Sequence, residues 1–528
     1  MQGTWMVLLP AIIVLISATF YRNIVLALIL GVLSAAFIAT NFSLSQSLDL
    51  AFSTCKHLIL DVNNLFLFAF LLIIGTIVSL ITATGGAHAF GEQLAKRLKS
   101  AKDVEIATLL VPYLVFIDDY LNCLTVGHVM HPLTDKFKIP RTKLAFYIDA
   151  MTTPLAIITP ISSWAGTVVS QLAMAGISIN LNDRPVVISE AFYAYLKTLP
   201  FTFYSFIMIA SAWIIASRRI SYGRMYKHEQ IAYETGNVFG GKQPAHEAPT
   251  LLNQRERSPW DLLLPIFTIV ITVIGQILHQ GGYWMLGGHN SLILAFQEKY
   301  NIFLILFTSG LLAAIVSFGF AAIREKILIK HFPQIITKGI KMMWVAILIV
   351  LLAWSFGLLL RENLHTGDYL ASLLLNKISL NFLPLMLFLT TLIIATLTGS
   401  AWGSIAIMVP IAIPIILTFL NVNTPIPIAE ISFLFPCLGA VFSGAAAGDH
   451  ISPISDTTIM SDRSAGTHHA DHVKTRLEYA WPALISTALA FIISGFVFQY
   501  HPALVAIISI ASGIALCTLI LYTLNKRK

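Results

Sequence analysis

Stretches of about twenty apolar residues recur along the whole chain, each long enough to cross the hydrocarbon core of a bilayer as a helix. Full-length candidates lie at 4–21, 23–40, 62–84, 144–174, 198–217, 258–279, 301–322, 341–361, 431–460, 480–499 and 503–524. Backbone polar groups in lipid must bond within their own segment, so this pattern predicts an all-α polytopic membrane protein. Composition agrees: only 11% of residues are charged and 57% are apolar, against roughly 25% charged in soluble domains. The first stretch starts at Thr4 with no basic residue before it. It reads as a retained helix rather than a cleaved signal. Cys55, Cys123, Cys437 and Cys517 lie scattered in apolar sequence, without disulfide or zinc spacing.

Two further apolar stretches are interrupted. The segment 104–132 carries Asp118, Asp119 and Asn122 at its middle, and 383–420 carries Thr398, Gly399 and Ser400. Polar, glycine-bearing interruptions at membrane depth predict helices that enter, break and return on one side. Loop charge supports this for the first: Lys96, Arg97, Lys99 and Lys102 precede it, and Lys136, Lys138, Arg141 and Lys143 follow. Both flanks are then expected on the cytoplasmic side. With the N-terminus outside and the C-terminus cytoplasmic, 27 of the 33 lysines and arginines fall in cytoplasmic loops. The net charge of +7 is thereby explained by orientation, and no nucleic-acid partner is expected.

The spans predict two inverted repeats of five transmembrane helices, each with a re-entrant hairpin and a discontinuous helix. The first repeat covers 1–217, with its hairpin near 104–132. A flexible cytoplasmic linker covers 218–257. The second repeat covers 258–499, with its hairpin near 383–420. An extra C-terminal helix and a basic tail fill 500–528. A short echo, Thr159-Pro160-Ile161-Ser162-Ser163 against Ser452-Pro453-Ile454-Ser455-Asp456, accompanies the topology. Inverted repeats with paired broken helices point to alternating access, with the site where the breaks meet.

Four segments interrupt the apolar core: 116–127, 152–164, 398–404 and 444–458. Their small residues admit close backbone approach, their prolines free carbonyls, and their hydroxyls and carboxylates supply hard oxygen ligands suited to Na+ or H+. Candidate ion- or substrate-binding residues are Asp118, Asp119, Asn122, Thr125, Ser162, Ser163, Thr398, Gly399, Ser400, Asp449, Ser452, Ser455, Asp456 and Thr457. Asp119, Asn122 and Asp456 are the Na+ candidates. Asp118, Asp119, Asp149, Asp449 and Asp456 all fall in membrane-embedded sequence where no Lys or Arg is expected at the same depth. Each unpaired charge there costs at least about 2.5–3.5 kcal/mol. The acids are therefore expected to be protonated or neutralised by a bound cation, in alternation. The serines have a plainer role open to them, bonding back to helix carbonyls. His468, His469, Asp471 and His472 are expected as a solvated loop cluster rather than a metal site. No GxxxxGK[ST] loop occurs, which argues against ATP-driven transport, and no hydrolase triad stands out.

The runs FIDDYLNCLTVGHVMHPLTDKFKIPRTKLAFYIDAMTTPLAIITPISSW (116–164) and GAAAGDHISPISDTTIM (444–460) resemble the NhaC family of sodium/proton antiporters. The resemblance implies secondary transport in the ion transporter superfamily, with Na+ and H+ as transported or coupling ions and no other cofactor. It implies a multi-pass bacterial inner-membrane protein in contact with lipid, working as a homodimer, and not an enzyme. The family's acidic and hydroxyl positions fall on Asp118, Asp119, Asn122, Ser162, Ser163, Asp449, Ser452, Ser455, Asp456 and Thr457. Related members carry malate or lactate, and the wider superfamily carries dicarboxylates or amino acids. The alternative expectation is thus an Na+- or H+-coupled carrier of a small organic anion or amino acid.

Overall fold

The computed structural model describes residues 4–525 apart from 22, 97, 117, 181–184, 244–257, 292–293, 296–300, 325–328, 367–368 and 370–378. Arg22, the distal part of the expected linker and the tail 526–528 thus lie outside the described residues. The first half contains α1 (Leu9–Tyr21), α2 (Ile24–Ala39), α3 (Leu44–Leu60), α4 (Val62–Thr84), α5 (Gly86–Ala95) and α6 (Ala101–Leu110). It continues through α7 (Asp119–Lys136), α8 (Arg141–Ile158), α9 (Ser163–Met174), α10 (Ala191–Thr198) and α11 (Phe203–Arg218). After α12 (Gly223–Thr235) come α13 (Trp260–Gln280), α14 (Ile302–Ile323), α15 (Phe332–Leu358), α16 (Leu383–Thr398) and α17 (Ala401–Leu420). The chain closes with α18 (Leu434–Ile451), α19 (Asp456–Ala465), α20 (His469–Val497) and α21 (Pro502–Leu524). A two-residue parallel pairing of Val187–Ile188 with Ile426–Pro427 ties a loop of one half to a loop of the other.

Among the described residues nine helices are long and apolar enough to cross a membrane, or ten if α8 and α9, bent by 49°, make one span. Ile271 on α13, Ile315 on α14 and Ile507 on α21 are more than half exposed, as a lipid-facing surface requires. The expected span 431–460 is instead two helices, and α18 is buried from Leu434 to His450. The expected hairpin at 383–420 is α16, which with the 3-10 turn before it runs from Leu380 to Thr398, and α17, each apolar and long enough to cross by itself. The helix α3 was not foreseen, because Asp49, Lys56 and several hydroxyls break its apolar run.

The interruptions are shorter than the sequence suggested. Between α6 and α7 a 3-10 turn at Val111–Leu114 leads to the break before Asp119. Pro160 and Pro453, which lack an N–H and clash with the preceding turn, sit in the gaps between α8 and α9 and between α18 and α19. Gly399 ends α16 with φ +65°, a left-handed conformation that glycine adopts without steric cost. The run Gly444–Gly448, expected to approach an ion, is helical. A Cβ on Gly448 would lie 2.4 Å from the Ala395 Cβ and 2.6 Å from the Leu392 carbonyl oxygen. These glycines seat α18 on α16, the small-residue packing that membrane helices favour.

The expected linker is in part a packed element. Glu229 of α12 accepts a 2.8 Å bond from Lys143, which also pairs with Glu105 at 2.9 Å. Lys143 is wholly buried, on a helix whose start had been placed in a loop. At the other end of α12, Glu478 of α20 accepts from the Arg224 N–H at 2.6 Å, and Tyr222 stacks on Tyr479 at 4.3 Å.

Candidate functional site

Four of the interruptions meet around one cavity. Each is followed by a helix whose first N–H groups have no intrahelical acceptor, and each has a capping side chain. Asp118 accepts from Leu121 at 3.0 Å, Ser162 from Ala165 at 3.2 Å, Ser400 from Gly403 at 3.1 Å and Ser455 from Thr458 at 3.2 Å. The first turns of α7, α9, α17 and α19 supply Asp119, Tyr120, Trp164, Ala401, Trp402, Asp456 and Thr457 to the cavity wall. Gly399, Ser400, Asp449 and Ile349 complete it. The positive ends of four helix dipoles therefore face three carboxylates. That field stabilises buried acids without a basic side chain.

Each carboxylate has neutral donors. The Trp164 Nε1–H donates to Asp119 Oδ2 at 2.9 Å. Thr457 and Thr153 hydroxyls donate to Asp449 Oδ2 at 2.6 and 3.1 Å. The Tyr120 hydroxyl donates to Asp456 Oδ2 at 3.4 Å. The Trp164 and Trp402 rings pack 5.0 Å apart across the two halves. The cavity measures ≈ 20 Å³ open to the centre of a water molecule, room for one water or one unhydrated monovalent cation. Among the described residues, no Lys, Arg or His lines it.

Of the fourteen expected site residues, Asp119, Gly399, Ser400, Asp449, Asp456 and Thr457 reach the cavity. Asp118 lies just behind it, buried, accepting from the Ser163 hydroxyl at 3.0 Å. Asn122 donates its Nδ2–H to the Pro112 carbonyl at 3.0 Å and accepts from the Thr152 hydroxyl on Oδ1 at 3.3 Å. The Na+ candidates Asp119, Asn122 and Asp456 are thus not gathered round one point. Thr125 is buried on α7 away from the wall. Ser162 bonds back to the Ala156 carbonyl at 2.7 Å, and Ser452 reaches the Thr396 carbonyl at 2.8 Å. Thr398 meets Ser404 at 3.5 Å. These hydroxyls shape the breaks. Among the described residues, no three His, Cys, Asp or Glu side chains converge as a metal site; the three acids surround the cavity.

One sequence inference is overturned. Asp149 has a basic partner, the buried guanidinium of Arg476, whose Nη1 also meets the Thr458 hydroxyl. Its Nη2 donates to the Ser452 carbonyl at 3.0 Å. Arg476 had been assigned to a loop because His468 to Lys474 is polar, yet α20 begins at His469 and carries it inward by two turns. The histidine cluster is likewise no solvated loop: His472 is fully buried and bonds Asp462 at 2.6 Å. Trp164, Trp402, Tyr120 and Thr153 were also missed. Tyr120, Trp164 and Trp402 are each the second residue of the helix after a break, which was the available signal; Thr153, inside α8, gave none.

Outward apolar helix faces, paired interruptions and an acid-lined cavity between the halves define a multi-pass membrane transporter. The chain belongs to the Na+/H+ antiporter family, whose model matches residues 155–496. It is 27% identical to an uncharacterized protein of Haemophilus influenzae over 94% of this chain and 92% of that one. It is also 30% identical to the Malate-2H(+)/Na(+)-lactate antiporter of Bacillus subtilis, over 22% of this chain and 23% of that one. The Alcanivorax borkumensis YdaH transporter is similar with a TM-score of 0.48 and 14% identity, over 82% of this chain and 89% of that one.

Proposed function

We propose that the protein exchanges Na+ for H+ by alternating access, with Asp119, Asp449 and Asp456 accepting either cation in turn. The observation that carries this reading is a cavity walled by three carboxylates and no base, with room for a single small cation. Outside the cavity, Arg476 is engaged by Asp149, so the three wall acids have no competing basic side chain. A Na+ ion there meets one carboxylate together with hydroxyl and peptide oxygens, and protonation of the same acid releases it. The family membership and the residues it covers support cation exchange as the class of activity.

A second reading rests on the four converging helix N-termini, which suit an anionic group. Under it the protein carries a small organic anion of the malate or lactate kind, coupled to Na+ or H+. The size of the cavity favours the first reading. Proteoliposomes with a trapped pH dye separate them. Na+ added outside is expected to drive proton movement without any organic solute, and Asp456→Asn is expected to lose at least about tenfold of that flux. Proton movement that requires added malate or lactate would instead establish the second.

A further inference from the structure

We propose that His469, Asp462 and His472 form a proton relay between solvent and the cavity acids, joined to them through Asp149 and a ladder of hydroxyls. This rests on the Na+/H+ reading above. The outer string is explicit: His469, half exposed, meets Asp462 Oδ2 at 2.6 Å, and the buried His472 meets Asp462 Oδ1 at 2.6 Å. A carboxylate clasped by two imidazoles, one wet and one dry, moves a proton between them without leaving a bare charge in the interior.

The inner string is equally continuous. Thr458 faces Asp149 Oδ2 at 3.5 Å, Ser455 contacts Thr458 at 2.8 Å and Thr457 at 3.1 Å, and Thr457 bonds Asp449 at 2.6 Å. Asp449 lines the cavity. The two strings approach at Arg476, one helical turn beyond His472 on α20 and paired to Asp149. On either side of that pair, His472 Nε2 and Asp149 Oδ1 are buried polar atoms with no hydrogen-bond partner in the protein. Buried orphans of this kind are ordinarily bridged by water. A water bridging the two, accepting from Asp149 when it is protonated and donating to His472, completes the proposed path.

For outward passage, Asp449 gives its proton to Thr457, and Thr457, Ser455 and Thr458 each pass on their own in a concerted shift. Asp149 takes the Thr458 proton on Oδ2, turns its carboxyl and gives that proton to the bridging water, which delivers one of its own to His472 Nε2. His472 sheds its Nδ1 proton to Asp462, which passes it to His469 Nδ1 once that half-exposed ring has exchanged with solvent to the tautomer bare at Nδ1, and His469 releases its Nε2 proton to bulk water. Every relay group ends with its starting protons after ring reorientation, and one proton has left Asp449. Arg476 donates no proton; it fixes Asp149 and the Ser452 carbonyl, and so acts as a positioning residue.

The test compares two fluxes in proteoliposomes holding the full chain. One is isotopic Na+/Na+ exchange at equal pH, which moves no net proton, and the other is Na+-driven proton movement. In His472→Asn, which keeps a donor for Asp462, and in Asp462→Asn, the isotopic exchange is expected to stay within about twofold of the parent. Proton movement is expected to fall by about tenfold or more, with partial recovery of His472→Asn in added imidazole. Unchanged proton flux in both variants overturns the relay, as does an equal fall in both fluxes without imidazole rescue. Absence of any Na+ flux in the parent protein is a different result, which overturns the antiport reading and the relay with it.

Discussion

Asp149 and Arg476 illustrate how one side chain changes the electrostatics of a membrane interior. Both are wholly buried, and loss of one partner from a buried pair costs about 3–5 kcal/mol, because the other charge is left uncompensated. Arg476→Met is therefore expected to lower the thermal midpoint of the detergent-solubilised protein sharply. The double variant Asp149→Leu with Arg476→Met is expected to recover most of that loss, since apolar replacement of a buried pair is often neutral. A double variant no more stable than Arg476→Met alone would show that the guanidinium matters chiefly through the Ser452 carbonyl. The acids of the cavity were legible as residue types, because carboxylates in apolar sequence stand out. Their partners were not: Trp164 and Thr153 belong to residue types that are common in membrane helices, and only the fold brings their hydrogen bonds to Asp119 and Asp449.

Among the elements, length and apolarity placed most helices within a few residues; Val62–Thr84 coincides with its expected span. Polar helices were the failures. The segment 223–235 has the composition of a linker, yet Glu229 and Arg224 dock it onto α8 and α20. Sequence periodicity carries no sign of a partner so distant in the chain. The Gly444–Gly448 stripe was legible as small residues, but its role in helix approach required knowing that α16 lies against it. Overpacking such a contact costs typically about 1–3 kcal/mol. Gly448→Ala is accordingly expected to destabilise the detergent-solubilised protein by that order, measured by thermal unfolding, while Gly319→Ala, which meets nothing within 4 Å, is expected to leave it unchanged.

Taken whole, the molecule has its two halves fastened to each other by the connector helix α12. His228 on that helix is held below its ordinary value of 6.5, chiefly by burial. The folded state thus favours the neutral ring, so its contribution is fully present above about pH 6.5 and weakens as acidification protonates the undocked helix preferentially. Amide hydrogen exchange over 223–235, corrected for intrinsic rates, is expected to quicken between pH 7.5 and pH 5.5 in the parent and to change less in His228→Asn. The alternation of spans and interruptions, and the family, could be read from sequence. The meeting of four helix starts at one cavity could not, since it depends on the packing of elements more than three hundred residues apart. The tightness of that cavity has its own consequence. Under the proposed exchange, an alkali cation would arrive wrapped in a hydration shell too wide for ≈ 20 Å³, so it would have to shed that shell at the threshold, and the energetic cost of dehydration would be the first sieve that distinguishes one ion from another.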